Sequence, residues 1–224
     1  MKVGVLLAAG ASKRMGRTKS LVKRRGLSFL ALGVRHLWAA CDTVVVVLGA
    51  GAARVQKSLE AEIEALVAAG RLHDDITSAR RHGARALEVR FVVNRAWTRG
   101  MYGSARLGLK TALALDPEAI LLLPVDHPDV RPATVMLLGA AMDAALGAYR
   151  GSRAERDRFA YAVVPRSMRR RGHPLVLTRG LADAIARDGA ARDLSDAVRS
   201  HARLVGYLDV RDRGVVRNRN TPKD

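Results

Sequence analysis

The sequence has little sulfur chemistry and few aromatic rings. Its one cysteine, Cys41, excludes an intrachain disulfide and a cysteine-based zinc cage. Aromatic residues make up only 4% of the 224 residues, which leaves few platforms for stacking single-stranded nucleic acid. No apolar run reaches the ~18–20 residues that a membrane helix needs. Because a strand pattern begins at residue 2, no signal peptide is expected, and the predicted compartment is the cytoplasm.

Acidic residues are scarce relative to basic ones. The chain has 39 Lys and Arg against 21 Asp and Glu, which gives a formal net charge of +18. The cations are spread along the sequence, with one dense run at residues 169–171. We interpret the excess as a solvated surface around an anionic substrate rather than a nucleic-acid surface, since stacking residues are few.

Apolar runs of strand length alternate with helical patterns along the chain, which predicts one α/β domain. Hydrophobic residues, at 49%, suffice for its core. The patterns predict strands at residues 2–7, 43–48, 87–93, 119–124, 161–165 and 204–208. They predict helices at residues 28–40, 52–69, 132–148, 178–186 and 192–201, and exposed loops at 70–87 and 150–158. Ser28 and Thr178 are predicted to cap the first and fourth of these helices, and the glycines at 49–51 a turn into the second.

The first loop carries the strongest chemical signal. Small residues follow the first strand at once, so a ligand can approach the backbone closely. Successive backbone N–H groups in such a turn bind anions. The spacing excludes a P-loop, because five residues separate Gly10 from Gly16. It also excludes a dinucleotide fingerprint, because position 12 is a serine. Charge-assisted donors for phosphate follow in the same stretch, at Lys13, Arg14, Arg17 and Lys19.

The stretch from Leu6 to Lys19 resembles the nucleotidyltransferase signature L-A-A-G-x-S-x-R-M-G-x-x-K. It is most similar to the branch of the molybdenum cofactor cytidylyltransferases and guanylyltransferases. The resemblance implies a Rossmann-like, three-layer α/β/α sandwich with a mostly parallel sheet, as one domain over residues 1–224. It implies catalytic roles for Arg14 and Lys19 at the α-phosphate and the departing pyrophosphate. It implies nucleotide binding by Leu7, Ala8, Ala9, Gly10, Ala11 and Ser12.

The segment from Asn94 to Leu109 resembles the family's second motif, N-x-x-(W/Y)-x-x-G-M-x-x-S-x-x-x-G-L. A glycine-marked loop there opens a helix, and helix N-termini attract anions. The resemblance assigns Asn94, Gly103 and Ser104 to the nucleotide and Met101 to the acceptor. Two alternatives stay open, a capping role for Ser104 and core packing for Met101.

Asp126 follows an apolar strand, where ligands of open α/β sheets bind. A carboxylate facing phosphates makes sense with a cation between them, and Mg²⁺ takes one or two carboxylates plus substrate phosphates. The tetrad Val125-Asp126-His127-Pro128 resembles the family's metal-binding G-D-x-P turn, which makes Asp126 a catalytic residue and a metal ligand. A turn-forming aspartate without metal is the alternative. His127 occupies the variable position and receives no role.

Two further motifs complete the resemblance. Arg171-Gly172-His173-Pro174 is similar to the family's G-H-P motif, which implies acceptor binding by these four residues; a basic hairpin is the alternative for the arginines. Asn218-Arg219-Asn220 resembles the N-x-N-T-P end of guanylyltransferase relatives. It assigns Asn218 to the acceptor and Asn220 to the metal, although Asn220 offers only a neutral carbonyl.

The implied reaction moves an NMP from an NTP to a phosphorylated small acceptor and releases pyrophosphate. Residues 8–10 and 172–174 favour CTP and molybdopterin, whereas Asn218 and Asn220 favour the GTP-dependent relatives. Transfer to a sugar phosphate is a further alternative, and a catalytically weakened nucleotide- or RNA-binding protein is the non-enzyme one. A monomer or weak dimer is expected.

Overall fold

A mostly parallel sheet forms the middle layer of the computed structural model, which describes residues 1–10, 18–69 and 87–220. The strand order is β10-β7-β9-β6-β1-β4-β5, and β8 pairs with β7. In these described residues the strands are β1 (Lys2–Ala8), β2 (Lys23–Arg24), β3 (Leu27–Ser28), β4 (Thr43–Leu48), β5 (Glu88–Val93), β6 (Ala119–Pro124), β7 (Tyr161–Ser167), β8 (Arg170–Arg171), β9 (Leu175–Thr178) and β10 (Leu204–Asp209). β9 runs antiparallel to both of its neighbours, β6 and β7.

Helices cover both faces of this sheet. They are α1 (Phe29–Trp38), α2 (Ala52–Ala68), α3 (Met101–Leu113), α4 (Pro132–Ala148), α5 (Arg153–Arg158), α6 (Arg179–Arg187) and α7 (Leu194–His201). One core lies between the sheet and α1, α2 and α4, and the other between the sheet and α3, α6 and α7. The α/β sandwich predicted from the sequence is therefore confirmed. None of the helices described is long and apolar enough to cross a membrane.

Side-chain alternation sorts the central strands between the two cores. Leu6 of β1 faces the α1 side, whereas Val5 and Leu7 face the α3 side. β4 is buried along its whole length, as its unbroken run of apolar residues predicts for a strand covered on both faces. The Ser28 hydroxyl accepts a hydrogen bond from the Ala31 amide at 3.0 Å and caps α1 as predicted.

The structure corrects two local predictions. Residues 153–158, predicted to be loop, form α5, which begins with a capping box between Ser152 and Glu155. Thr178 directly precedes α6, but its side chain caps nothing there. Its hydroxyl instead accepts from the Tyr161 amide at 3.0 Å and so joins β9 to β7. The predicted loop at 70–87 lies, except for residue 87, outside the described residues.

Gly108 allows α3 to lie close to the sheet. A Cβ atom at this position would stand 2.6 Å from Val5 Cγ1 and 2.7 Å from Val47 Cγ2. Both valines are fully buried in the core strands β1 and β4. The close approach therefore fixes how α3 sits over the centre of the sheet.

We expect Gly108→Ala to destabilise the protein by about 1–3 kcal/mol, because overpacking forces the strands and α3 apart. The matched control is Gly147→Ala on the exposed side of α4, where a Cβ meets nothing within 4 Å. There the substitution should stabilise by about 0.5–1 kcal/mol through helix propensity. Urea unfolding measures both, and equal effects would contradict the packing argument.

His36 gives stability a pH dependence. It is buried in α1, and burial, helped by the positive charge of Arg35, lowers its pKa from 6.5 to about 4. Below pH 6.5 the unfolded chain binds a proton that the folded chain does not bind until about pH 4, so acid reduces the free energy of unfolding. Between pH 7.5 and pH 4.5, the free energy of unfolding of the wild type should therefore fall by roughly 2–3 kcal/mol more than that of His36→Gln. Parallel pH curves of unfolding free energy would refute this.

Candidate active site

A cavity of about 500 Å³ opens where β1 and β6 end. This is the carboxyl edge of the parallel strands, where ligands of open α/β sheets bind. Its walls come from the end of β1, the turn after residue 18, the start of α3, the turn after β6 and the C-terminal segment. They are formed by Leu7, Ala9, Gly10, Lys19, Ser20, Trp97, Thr98, Gly100, Met101, Ser104, Pro124, Val125, Asp126 and Asn220.

Backbone pairing sets the floor of the cavity. The Val125 amide donates to the Leu7 carbonyl at 3.0 Å, so the pairing of β1 with β6 continues to the cavity edge. Ala9 and Asp126 consequently leave the sheet side by side. Gly49, at the end of β4, supports the first loop from the other side, because a Cβ there would lie 2.3 Å from the Ala9 carbonyl oxygen. The turn at residues 49–51 thus leads into α2, as predicted, and backs the loop.

Among the described residues of the cavity wall, Lys19 supplies the positive charge, and it contacts two other predicted residues. Its ammonium donates to Asn220 Oδ1 at 2.5 Å and lies 3.5 Å from Asp126 Oδ2. The side chains of Lys19 and Asp126 are only 14% and 21% exposed, so solvent screens the pair little. Burial alone would raise the pKa of Asp126, but the hydrogen bond from His127 and the charge of Lys19 hold it below its usual range. Asp126 is therefore ionised at neutral pH.

The other oxygen of Asp126 is engaged by a histidine. His127 Nδ1 lies 3.0 Å from Asp126 Oδ1. The His127 ring also meets His173 edge to face, with 4.9 Å between centroids. Desolvation, together with nearby His127, lowers the pKa of His173 to about 3, so that ring is neutral at pH 7. The predicted acceptor residue His173 thus sits behind Asp126 and is not part of the cavity lining.

Asp129 ties the C-terminal segment to this site. Its carboxylate accepts from the Arg219 guanidinium at 2.6 and 2.8 Å, and from Arg24. The Arg219 amide donates to the Asp126 carbonyl at 2.8 Å, which seats Asn220 beside Lys19. Burial opposes ionisation of Asp129, yet the hydrogen bonds from Arg219 and Arg24 keep its pKa below the usual range. These ion pairs hold the end of the described chain against the cavity.

The predicted residues of α3 lie at its first turn. Ser104 is buried in the cavity wall and accepts from the Asn94 side chain at 2.9 Å. The side-chain oxygen Oδ1 of Asn94 accepts from the Ala96 amide, so Asn94 shapes the loop before the helix. Met101 lines the cavity and is 56% exposed, which rules out core packing. Gly103 is exposed and lies outside the lining.

The remaining acceptor candidates do not line the cavity. Arg171 is exposed, with its guanidinium 5.2 Å from the Tyr207 ring centroid. Gly172 lies against the Val215 carbonyl, where a Cβ would come within 2.3 Å, and Pro174 is buried and follows a cis peptide bond. Asn218 is exposed.

Among the predicted nucleotide-binding residues, Ala8 points its side chain away from the cavity into the α1 core. Three predicted residues, Ala11, Ser12 and Arg14, lie outside the described residues.

Sequence reasoning missed several contributors. Trp97 and Thr98 line the cavity. Trp97 stands at the W/Y position of the second motif, which was the available signal. Asp129 and Arg219 received no role, since their partners lie 90 and 105 residues away along the chain and no local pattern joins them.

Within the described residues, no group of three or more His, Cys, Asp or Glu side chains could hold a metal. A resident metal cage is therefore absent from that part of the chain. Asp126 nevertheless presents a carboxylate oxygen to the cavity beside an amide oxygen of Asn220. This donor set suits a cation whose remaining ligands are phosphates and water, as is usual for Mg²⁺.

Comparison with known proteins gives three relatives of interest. Nicotine blue oxidoreductase of Paenarthrobacter nicotinovorans is 34% identical over 185 residues, which is 82% of this chain and 74% of the relative. A nucleotidyl transferase, Mth528 of Methanothermobacter thermautotrophicus, superposes with a TM-score of 0.66 at 21% identity, covering 100% of this chain and 94% of its own. The manganese complex of Rv0371c of Mycobacterium tuberculosis superposes with a TM-score of 0.56 at 23% identity, covering 93% of this chain and 88% of its own.

The two solved structures share the fold of this chain. A family model decides the family, because it covers nearly the whole sequence. Residues 4–204 match the model of the MobA-like NTP transferase domain. This range contains the first loop, the second motif, the Asp126 turn and the G-H-P motif. The chain therefore belongs to the MobA-like NTP transferase domain family.

Proposed function

We propose that the protein transfers a nucleotidyl group from an NTP to a phosphorylated small molecule and releases pyrophosphate. The observation that carries this proposal is the pairing of Lys19 with Asp126 in one cavity, at the carboxyl ends of β1 and β6. A cation for phosphate and a carboxylate for a metal are the two charges that such a reaction needs. The cavity volume, about 500 Å³, is in the usual range for small-molecule sites.

The chain's own residues would act mainly by positioning and charge neutralisation. Leu7, Ala9 and Gly10 leave room for the nucleotide against the backbone, and the N-terminus of α3 at Gly100 attracts its phosphates. Lys19 would donate to the α-phosphate and the departing pyrophosphate. Arg14 is proposed for the same task from the sequence motif. An acceptor phosphate oxygen then attacks the α-phosphorus, and pyrophosphate leaves on the opposite side.

Asp126 would hold Mg²⁺, with Asn220 supplying at most a neutral oxygen that Lys19 already engages. When bound, the cation neutralises phosphate charge and makes the α-phosphorus more electrophilic. The manganese complex of a structural neighbour supports divalent metal use in this fold. The ionised state of Asp126 and its place on the cavity wall support the same assignment.

We propose CTP as the preferred nucleotide and molybdopterin as the acceptor. The support is the sequence of the first loop, Ala8-Ala9-Gly10, and the G-H-P motif at residues 172–174. Asn218 and Asn220 support GTP instead. Trp97 and Met101 on the cavity wall suit a flat ring of either substrate, since both side chains offer polarisable apolar surface.

Reduction of an aromatic heterocycle is a second candidate. It is favoured by the 34% identity to a protein named nicotine blue oxidoreductase. The same wall of Trp97 and Met101 would accept a flat dye. Transfer chemistry remains the first candidate because reduction by itself gives no role to the charge pair of Lys19 and Asp126.

One prediction of the proposed function concerns turnover. Purified protein with Mg²⁺, molybdopterin and each of CTP, GTP, ATP and UTP in turn should release pyrophosphate, with CTP giving the highest rate. A parallel panel of sugar phosphates tests the other acceptors. Release with GTP alone would reassign the nucleotide. Oxidation of NADH or NADPH by nicotine blue, without pyrophosphate release from any pair, would favour the second candidate.

A second prediction concerns Asp126. Asp126→Asn removes the carboxylate charge from the cavity, and pyrophosphate release should fall by roughly 10²–10³-fold, as when one electrostatic stabiliser is lost. The control is Asp143→Asn on α4, an exposed carboxylate paired with Lys2, which should stay within about twofold of the wild type. Circular dichroism verifies that both variants fold. Normal turnover by Asp126→Asn would refute the assigned role.

A further inference from the structure

We propose that His127 is a positioning residue that holds one oxygen of the Asp126 carboxylate and so directs the other toward the cavity and Lys19. The proposal rests on the nucleotidyl transfer proposed above and adds a residue to it. The geometry that supports it is that the two oxygens of the Asp126 carboxylate contact different residues. Asp126 Oδ1 is 3.0 Å from His127 Nδ1, whereas Oδ2 points to Lys19 at 3.5 Å.

The polarity of the His127 contact follows from chemistry. An ionised carboxylate has no proton to donate, so Nδ1 must carry the hydrogen and donate it to Oδ1. His127 is 8% exposed and Asp126 is partly buried, so water competes weakly for this bond. A charge-assisted hydrogen bond in such surroundings holds its partner strongly.

The His127 ring is itself fixed from several sides. Its backbone amide donates to the Pro124 carbonyl at 3.2 Å, which closes the turn after β6. Its ring packs against His173 at 4.9 Å and an interplanar angle of 65°. His173 in turn donates its amide to the Val215 carbonyl at 2.8 Å. The imidazole of His127 is therefore held in one position, and its hydrogen bond fixes the orientation of the Asp126 carboxylate.

This fixed orientation needs a partner because the terminal torsion of an aspartate side chain is soft. Lys19 lies close enough to Oδ2 to draw the carboxylate into a closer, two-oxygen ion pair once Oδ1 is released. That rotation would occupy the oxygen proposed for the metal and also the cation proposed for phosphate. By holding Oδ1, His127 limits the contact of Lys19 to Oδ2 alone.

Two amide variants test the proposal, because they differ in where the donor stands. Asn places its Nδ2 near the site of imidazole Nδ1, whereas Gln reaches toward the site of Nε2. Mn²⁺ affinity in the presence of CTP, measured by electron paramagnetic resonance, reports the carboxylate without requiring turnover. His127→Asn should stay within about threefold of the wild type, and His127→Gln should lose roughly 10–100-fold, the usual effect of removing a hydrogen bond to a metal ligand.

Kinetics separate positioning from stability. The Mg²⁺ concentration for half-maximal pyrophosphate release should rise in His127→Gln and not in His127→Asn, with little change in KM for the acceptor. Equal Mn²⁺ affinities of the two variants would overturn the proposal, as would a wild type that binds no Mn²⁺. If the variants differ in Mn²⁺ affinity while the wild type releases no pyrophosphate, the positioning role stands and the proposed function fails.

A measurement on the unmodified protein covers the case in which the variants do not fold. Long-range proton–nitrogen correlation spectra at pH 7.5 report which ring nitrogen of each histidine carries hydrogen. We expect the His127 ring to bear it on Nδ1, with the resonance assigned through correlation to the backbone of the unmodified protein. A neutral His127 protonated only on Nε2 would overturn the proposal.

Discussion

Parallel pairing of β1 with both β4 and β6 is the constraint on which the site depends. Strands paired in this sense end at the same edge, so the loops after residues 8, 48 and 124 emerge together. The bond from the Val125 amide to the Leu7 carbonyl carries this register to the floor of the cavity. The small residues of the first loop and the carboxylate of Asp126 thus meet because of the sheet, although more than a hundred residues separate them.

Ion pairs, in addition to the sheet, position the residues of the cavity. The two carboxylate oxygens of Asp129 accept hydrogen bonds from Arg24 and Arg219, and Arg219 positions the adjacent Asn220 against Lys19. Arg219 and Asp129 are each 11% exposed. Charges this far from water are costly to leave unpaired, which gives the arrangement its selectivity for one seating of the C-terminal segment. The part of the cavity wall that Asn220 forms is therefore held by the ion pairs of the preceding residue, whereas the floor is held by backbone pairing.

Much of the architecture could be predicted from local patterns. The β4 run of apolar residues, the Ser28 cap and the helix at 132–148 are each encoded by neighbouring residues, and each was confirmed. The helix at 153–158 was missed although its capping box was present, because its polar composition resembled a loop. The reversal of β9 and the ion pairs of Asp129 depend on partners far along the chain, which single-sequence patterns do not report. The family motifs named Lys19, Asp126 and Asn220, but only the fold places their side chains in contact.

The position of Asn220 near the end of the described chain has a consequence for biosynthesis. Asn220 is synthesised 201 residues after Lys19, and β9 joins the two halves of the sheet by pairing with both β6 and β7. A nascent chain that ends at β6 contains every strand of the parallel half of the sheet, yet it lacks Arg219 and Asn220. Since a domain generally folds as a unit, the cavity is complete only when the C-terminal segment is present to pack with the rest. The complete cavity wall consequently requires the chain to be synthesised at least through Asn220.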